Sequence, residues 1–304
     1  MRQIIGYLRE YFYEINWGVF AFVTLLTTVL TFLNYYFGLD DYLSTYPNFG
    51  VSFFGRVIIF SLAFFLPYLA YYFVSRNNYF SSKEFLIPLF AAPFIFALKV
   101  AFVPTLHFSD EWATDTFWNV IFYWPALLVI IVFLLFLIWK TFHSDQPFYG
   151  VKTREIDWKP YVIMLLIMVP LVAIASTQAD FLAVYPKLKL ITEVSFEELS
   201  WWHKLLFELS YGTDFITIEL FFRGFLILAF VKWAGKDAIL PMACFYCTIH
   251  FGKPIGECIS SFFGGLVLGV VVYHTRSILG GLMVHLGIAW MMEAGGYLGN
   301  YFFD

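Results

Sequence analysis

Charged residues and cysteines are both scarce in this sequence. Asp, Glu, Lys and Arg make up 13% of the 304 residues, about half of the ~25% that soluble domains carry. The net charge is −4, and the basic residues form no cluster of the kind that binds nucleic acid. The composition therefore argues against a soluble domain, and we expect no nucleic-acid partner.

The three cysteines, Cys244, Cys247 and Cys258, lie in apolar segments and predict no disulfide framework. Cys244 and Cys247 form a CxxC pair that shares a predicted helix face with His250, but no second ligand pair lies at the spacing of a structural zinc site. Since small buried cysteines are common, we expect no metal and no cofactor. The alternative is a metal site or a transporter, which would use Cys247, His250, Glu257 and His285.

Long apolar runs fill most of the chain, and 61% of the residues are hydrophobic. A membrane crossing needs ~20 apolar residues, and in lipid the backbone must pair within each segment, so the runs are predicted to be helices. The predicted fold class is all-α, a polytopic transmembrane helix bundle of about eight to nine membrane helices with one interfacial amphipathic helix. The predicted helices lie near 15–37, 51–74, 86–104, 117–142, 160–180, 213–233, 238–252, 257–274 and 277–302.

Three regions follow from this pattern. Residues 1–180 hold the N-terminal transmembrane helices. Residues 181–212 alternate acids with Trp, Phe and Leu at helical spacing, which is typical of a helix lying in the membrane interface. Residues 213–304 hold the helices that carry most of the polar groups within apolar runs.

The charges between the helices predict the orientation. Arg2 and Arg9 precede the first helix, whereas the next loop is acidic, and this alternation continues along the chain. Basic loops face the cytoplasm, so we expect an integral protein of the bacterial inner membrane, embedded in the lipid bilayer, with a cytoplasmic N-terminus. Arg56 and Lys99 interrupt the pattern near helix ends, where their side chains are expected to snorkel to the interface.

Ionisable residues inside membrane helices are costly, so each one is a hypothesis for a functional site. Glu219 and Arg223 lie four residues apart in an apolar run, the spacing of an ion pair on one helix face. With a rise of ~1.5 Å per residue, Glu219, His250 and His285 are all predicted near the middle of the bilayer. These three residues are therefore predicted to line one cavity.

Three stretches in this order, IELFFRGFL, FYCTIHFG and HLGIAW, resemble the CAAX-protease and bacteriocin-processing (CPBP, Abi-type) family of intramembrane glutamic proteases. The resemblance covers roughly residues 215–290. It implies a metal-independent endopeptidase in which a glutamate and the first histidine activate water, while the second histidine and an asparagine stabilise the oxyanion. It implies a membrane-associated polypeptide substrate. The implied catalytic residues here are Glu219, His250 and His285.

The chain departs from the family pattern at three positions. Ile218 replaces the first glutamate, which usually acts as the base, and Ala289 replaces the asparagine. Tyr246 replaces a phenylalanine, a mild change. With two chemical groups missing, the alternative function is a catalytically inactive scaffold or binding protein of the same fold, with a membrane protein as its partner.

Two further acids lie near the predicted cavity. Glu257 follows His250 across the turn GKPIG, so its carboxylate either returns to the cavity as a fourth catalytic residue or lies at the membrane surface. Glu293 shares the helix face of His285, but its place near the helix end favours an interfacial acid. The remaining histidines have no assigned role: His107, His143, His203 and His274.

Overall fold

The computed structural model describes residues 1–46, 48–76, 78–151, 156–191 and 200–303, and all regular secondary structure within them is helical. This confirms the predicted polytopic helical bundle. The helices are α1 (Arg2–Glu14), α2 (Trp17–Phe37), α3 (Leu39–Thr45), α4 (Phe49–Ser75), α5 (Lys83–Ala101), α6 (Trp112–Phe142), α7 (Lys159–Ala175), α8 (Ala179–Leu182), α9 (Lys187–Ile191), α10 (Trp201–Glu219), α11 (Val231–Ala234), α12 (Ile239–Thr248), α13 (Ile255–Thr275) and α14 (Leu279–Phe303).

Within the described residues, five helices are long and apolar enough to cross a membrane, namely α2, α4, α5, α6 and α13. The helix α7 is apolar but shorter, with 17 residues. The chain is therefore an integral membrane protein. The expected total of about eight to nine crossings remains a prediction.

The centre of the bundle is formed by α12 and by the residues that follow α10. Every residue of α12 is buried, and this helix packs against α2, α4 and α13. After Glu219 the chain continues as a π-helix over Leu220–Ala229, in which every residue is also buried. The segments that precede His250 and follow Glu219 thus lie inside the protein, away from lipid.

The predicted start of the sixth membrane helix at residue 213 is wrong, because α10 begins at Trp201. Gly212 looks like a residue at which a helix would begin, but it lies inside α10. A Cβ atom at Gly212 would lie 3.4 Å from both Leu286 and Trp290, so the glycine permits close packing of α10 on α14. Residues 201–212 thus belong to the helix that carries Glu219. Residues 192–199 of the expected interfacial helix lie outside the described residues, and the division into three regions remains a prediction.

Arg56 and Lys99 do not snorkel. Nη2 of Arg56 lies 3.4 Å from Oδ1 of Asp40, and the arginine side chain is almost fully buried. Nζ of Lys99 lies 2.8 Å from Oδ1 of Asp214, so a buried ion pair joins α5 to α10. Each base is paired with an acidic residue of the protein. Its side chain therefore does not need to reach the membrane interface to have its charge compensated.

Candidate active site

Glu219 lies at the centre of a buried charged group. Its Oε1 atom is 3.1 Å from Nη1 of Arg223 and 2.9 Å from Nδ1 of His285, and its side chain is 0% exposed. The carboxylate forms an ion pair with Arg223 and a hydrogen bond with His285. A Cβ atom at position 281 would lie 2.9 Å from Oε2 of Glu219, so Gly281 permits the close approach of α14.

Tyr246 completes this group from α12. Its hydroxyl lies 3.0 Å from Nε2 of His285, and its ring lies under the guanidinium of Arg223 at 4.0 Å. Both ring nitrogens of His285 therefore have partners, since Nδ1 faces Glu219. Tyrosine at this position is more than a mild change, because a phenylalanine would leave Nε2 of His285 without the hydroxyl.

His250 follows α12 and is only partly buried. Its Nδ1 atom lies 3.0 Å from the carbonyl oxygen of Tyr246, which accepts, so Nδ1 carries the proton in the neutral ring. The other nitrogen, Nε2, then carries the lone pair. The ring of Tyr246 has its centroid 4.8 Å from that of His250 and 6.0 Å from that of His285, so the tyrosine lies between the two histidines.

Glu257 points into the protein from the first turn of α13, and its side chain is 18% exposed. The hydroxyl of Tyr185 donates to both carboxylate oxygens, at 3.1 and 3.2 Å. Nζ of Lys253 lies 3.6 Å from Oε1 of Glu257 and donates to the Tyr185 hydroxyl at 3.0 Å. Glu257 is therefore held by Tyr185 and Lys253, and its role as a fourth catalytic residue remains a prediction. Its carboxylate also lies where the helix dipole favours negative charge.

Glu293 was expected at the interface, and this expectation is wrong because the residue is 2% exposed. Its Oε2 atom accepts a hydrogen bond of 2.9 Å from the backbone N–H of Lys187. The chain around Lys187 covers the carboxylate of Glu293. The position of Glu293 near the end of α14 therefore did not reveal that its side chain is buried. Burial and the neighbouring charge of Lys253 lower the pKa of Lys187 to about 7.

The polar residues thus form two neighbouring groups. The first joins Glu219, Arg223, His285 and Tyr246. The second joins Glu257 to Tyr185 and Lys253, with Lys187 and Glu293 beside them. His250 belongs to both neighbourhoods, because it contacts Tyr246 and shares a short turn with Lys253.

The two positions that depart most from the family pattern are apolar and buried. Ile218 is 9% exposed within the main core, and Ala289 is 5% exposed. Ala289 lies in an apolar cluster with Phe215 of α10 and Leu188 of α9. These two positions therefore contribute neither a base nor an oxyanion donor.

Among the described residues, no three or more His, Cys, Asp and Glu side chains are grouped so as to hold a metal ion. The thiol of Cys247 lies 3.7 Å from that of Cys258 and 3.9 Å from the hydroxyl of Thr31. These contacts are the packing of small buried residues between α2, α12 and α13.

The change from α-helix to π-helix directly after Glu219 was not expected from the sequence. π-Helical turns are rare in proteins, and those that do occur are often found at functional sites. The only local signal is Gly224, where a Cβ atom would lie 2.8 Å from the carbonyl oxygen of Tyr149. A glycine is required at this close contact, but the sequence alone does not show that the helix widens here.

Comparison with known proteins supports the resemblance stated from the sequence. Residues 200–291 match the family model of the Type II CAAX prenyl endopeptidase Rce1-like proteins. No curated protein and no solved structure matches the chain. The matched range includes Glu219, Arg223, His250 and His285, and so confirms the recognition made from the three motifs. The helices between residues 200 and 291 are thus similar to the Rce1-like domain of type II CAAX prenyl endopeptidases.

Proposed function

We propose that the protein is an intramembrane endopeptidase in which His250 is the general base. The observation that carries this proposal is the contact of His250 Nδ1 with the Tyr246 carbonyl, because it leaves Nε2 to accept a proton. Nε2 removes a proton from water, and the water oxygen attacks the carbonyl carbon of a peptide bond. The proton then passes to the leaving amine, so His250 serves as base and afterwards as acid.

In this proposal Glu219 is a positioning residue. Its carboxylate is engaged by Arg223 and His285 and is fully buried, so it is poorly placed to activate water itself. The contact of its Oε1 atom with Nδ1 of His285 fixes the orientation of the imidazole ring.

Tyr246 is the proposed oxyanion donor, in place of the asparagine that Ala289 replaces. When Nε2 of His285 carries a proton, it donates to the Tyr246 oxygen, and the tyrosine hydroxyl proton is then available to the substrate. The position of Tyr246 between His250 and His285 supports this role. One such donor contributes roughly 3–4 kcal/mol to stabilisation of the transition state.

Glu257 is the proposed acidic neighbour of the base. It lies seven residues after His250, is held by Tyr185, and is balanced by Lys253. A nearby carboxylate favours the protonated form of a histidine. Burial disfavours a charged His250, and the carboxylate of Glu257 offsets part of this cost after His250 has taken the proton from water.

The proposed substrate is a membrane-associated polypeptide, and the proposed location is the bacterial inner membrane with a cytoplasmic N-terminus. Family-level similarity supports a peptidase that works within a bilayer. The charges of the loops support the orientation.

The proposal is tested with the full chain in liposomes and a library of internally quenched fluorescent peptides. We expect hydrolysis by the wild type and a loss of at least ~100-fold in His250→Ala, since general-base catalysis contributes roughly 10²–10⁴-fold. His274→Ala is the matched control, because His274 lies at the far end of α13 and stacks on Tyr7. Undiminished hydrolysis by His250→Ala would remove His250 from the base role.

A second candidate function is a non-catalytic membrane scaffold or binding protein. It is favoured by one observation, the burial of Ile218 and Ala289 in apolar clusters. A partner captured by photo-crosslinking in the membrane and recovered intact after long incubation supports this candidate. Cleavage of a single peptide bond in such a partner, abolished in His250→Ala, excludes it.

A further inference from the structure

The chain from the end of α8 into α9 packs against the polar groups described above. We refer to residues 183–189 as the covering segment. Two of its side chains are almost completely inaccessible: Tyr185 is 3% exposed and Leu188 is 0% exposed. Tyr185 lies in the connection between α8 and α9, and Leu188 lies in α9. We call the space that these two side chains fill the cleft.

Tyr185 fills the polar part of this cleft. Its hydroxyl donates to Glu257, and the ammonium groups of Lys187 and Lys253 each lie 5.1 Å from its ring centroid. The ring of Tyr185 is therefore held against the Glu257 group by one carboxylate and two ammonium groups.

The backbone of the covering segment is fixed to α14. The Lys187 N–H donates to Glu293, and Nδ2 of Asn300 donates to the Tyr185 carbonyl at 2.9 Å. A Cβ atom at Gly296 would lie 2.6 Å from the backbone of Tyr185 and Pro186. One side of α14 thus offers an acceptor, a donor and a flat glycine surface, which together bind a peptide backbone.

Leu188 fills the apolar part of the cleft. It packs in the cluster of Phe117, Phe207, Tyr211, Phe215 and Ala289. The ring of Phe215 is in turn 4.8 Å from that of His285 by centroids. The cluster that receives Leu188 therefore contacts the proposed catalytic group through Phe215.

We propose that the cleft between α10, α13 and α14 is a polypeptide-binding site, and that the covering segment occupies it as an intramolecular ligand. The ligand class is a polypeptide that presents a bulky apolar side chain to the Leu188 pocket, with a tyrosine-like side chain three residues earlier. This inference rests on the proposed function, because it makes the cleft the substrate site. The covering segment must leave before a substrate binds.

The test supplies the segment in trans. A fluorescent heptapeptide with the sequence of residues 183–189, AVYPKLK, is titrated against the full chain in liposomes. Leu188→Asp expels the covering segment by placing a charge in the aromatic pocket, but it leaves the cleft itself unchanged. We expect this variant to bind the peptide at least ~10-fold more tightly than the wild type, since a cleft that is open in one molecule in ten becomes open in most.

The matched control is Ala183→Asp, which adds the same charge at an exposed position of the same segment. We expect it to bind the peptide as weakly as the wild type. A peptide in which aspartate replaces the leucine should not bind any of the proteins. Equal binding to Leu188→Asp and the wild type, or binding to neither, would overturn the inference.

Two further measurements separate the possible failures. Leu188→Ala keeps the pocket apolar and should give a smaller gain in affinity, so it replaces Leu188→Asp if that variant does not fold. Hydrogen exchange of the wild type should show a protected amide at Lys187, and an amide that exchanges as in a free peptide would also overturn the inference. Because binding is measured without turnover, tight trans binding supports the binding site even if the wild type hydrolyses no peptide of the quenched library, and that second result would contradict the proposed function alone.

Discussion

The hydroxyl of Tyr246 lies 3.0 Å from Nε2 of His285, at a position where the family pattern has phenylalanine. The same chain has Ala289 in place of the asparagine that would help to bind an oxyanion. In the proposed mechanism the Tyr246 hydroxyl of α12 takes the place of the asparagine as the donor. This relationship leads to the first prediction.

Tyr246→Phe should lower peptide hydrolysis by about 100-fold, because it removes the proposed oxyanion donor. It should also lower the free energy of unfolding by about 1 kcal/mol, the usual contribution of one hydrogen bond. The effect should appear in kcat rather than KM, measured with a quenched peptide in liposomes. Tyr273→Phe, at the other end of the bundle, is the control. A kcat equal to that of the wild type would show that Tyr246 only packs.

Glu219→Gln should destabilise the protein by about 3–5 kcal/mol, because it leaves the guanidinium of Arg223 buried without its counter-charge. The double variant Glu219→Gln with Arg223→Met should recover much of this loss. Denaturation of the detergent-solubilised protein measures both free energies. If the double variant is as unstable as the sum of the single variants, the two residues are not energetically coupled.

Gly281→Ala should destabilise the protein by about 1–3 kcal/mol, because the new methyl group meets Oε2 of Glu219 at 2.9 Å. The matched control is Gly264→Ala on α13, where a Cβ atom has no neighbour within 4 Å. That substitution should be neutral or stabilising by up to ~1 kcal/mol, since alanine favours a helix. The midpoints of thermal unfolding of the two variants, measured under the same conditions, test this prediction. Equal midpoints would show that α14 shifts without cost.

Lys99→Met should destabilise the protein by about 3–5 kcal/mol, since Asp214 then remains buried without its base. Replacing both residues, as Lys99→Met with Asp214→Leu, should restore much of the stability because no charge is left inside. The same unfolding assay compares the three proteins. A single variant as stable as the wild type would mean that water reaches the pair.

We expect the free energy of unfolding to increase as the pH rises above 7, because Lys187 is buried in the folded protein. Burial and Lys253 lower the pKa of Lys187 to about 7, whereas its ordinary value is near 10.5. Between these two values the unfolded chain binds more protons than the folded chain, so the free energy of unfolding grows with pH. Tyr185, Glu257 and Glu293 also face this group, so the variant Lys187→Met isolates the contribution. A wild type and a Lys187→Met variant with parallel pH profiles between 7 and 10 would contradict the prediction.

Much of the helical bundle could be predicted because a bilayer fixes both the length of a crossing and its secondary structure. The run expected at 15–37 is the helix Trp17–Phe37, and the run expected at 257–274 is Ile255–Thr275. The start of α10 could not be predicted, because the role of Gly212 depends on α14 packed against it. A glycine at a helix contact and a glycine at a helix end are identical in a single sequence.

The site was only partly predictable for a similar reason. The pairing of Glu219 with Arg223 depends on spacing within one helix, which a sequence shows directly. The contact between Tyr246 and His285 depends on how α12 and α14 are rotated about their axes. Glu293 was misjudged because its environment is set by Lys187, which is more than 100 residues away along the chain. Contacts of this kind leave no periodic signal.

The length of α13 sets the distance between two parts of the protein. Glu257 lies in its first turn, whereas His274 near its other end stacks on Tyr7 of α1 at 4.3 Å. Its 21 residues span ~30 Å, about the thickness of the hydrocarbon core. The N-terminal helix α1 and the Glu257 group therefore lie about one hydrocarbon-core thickness apart along α13.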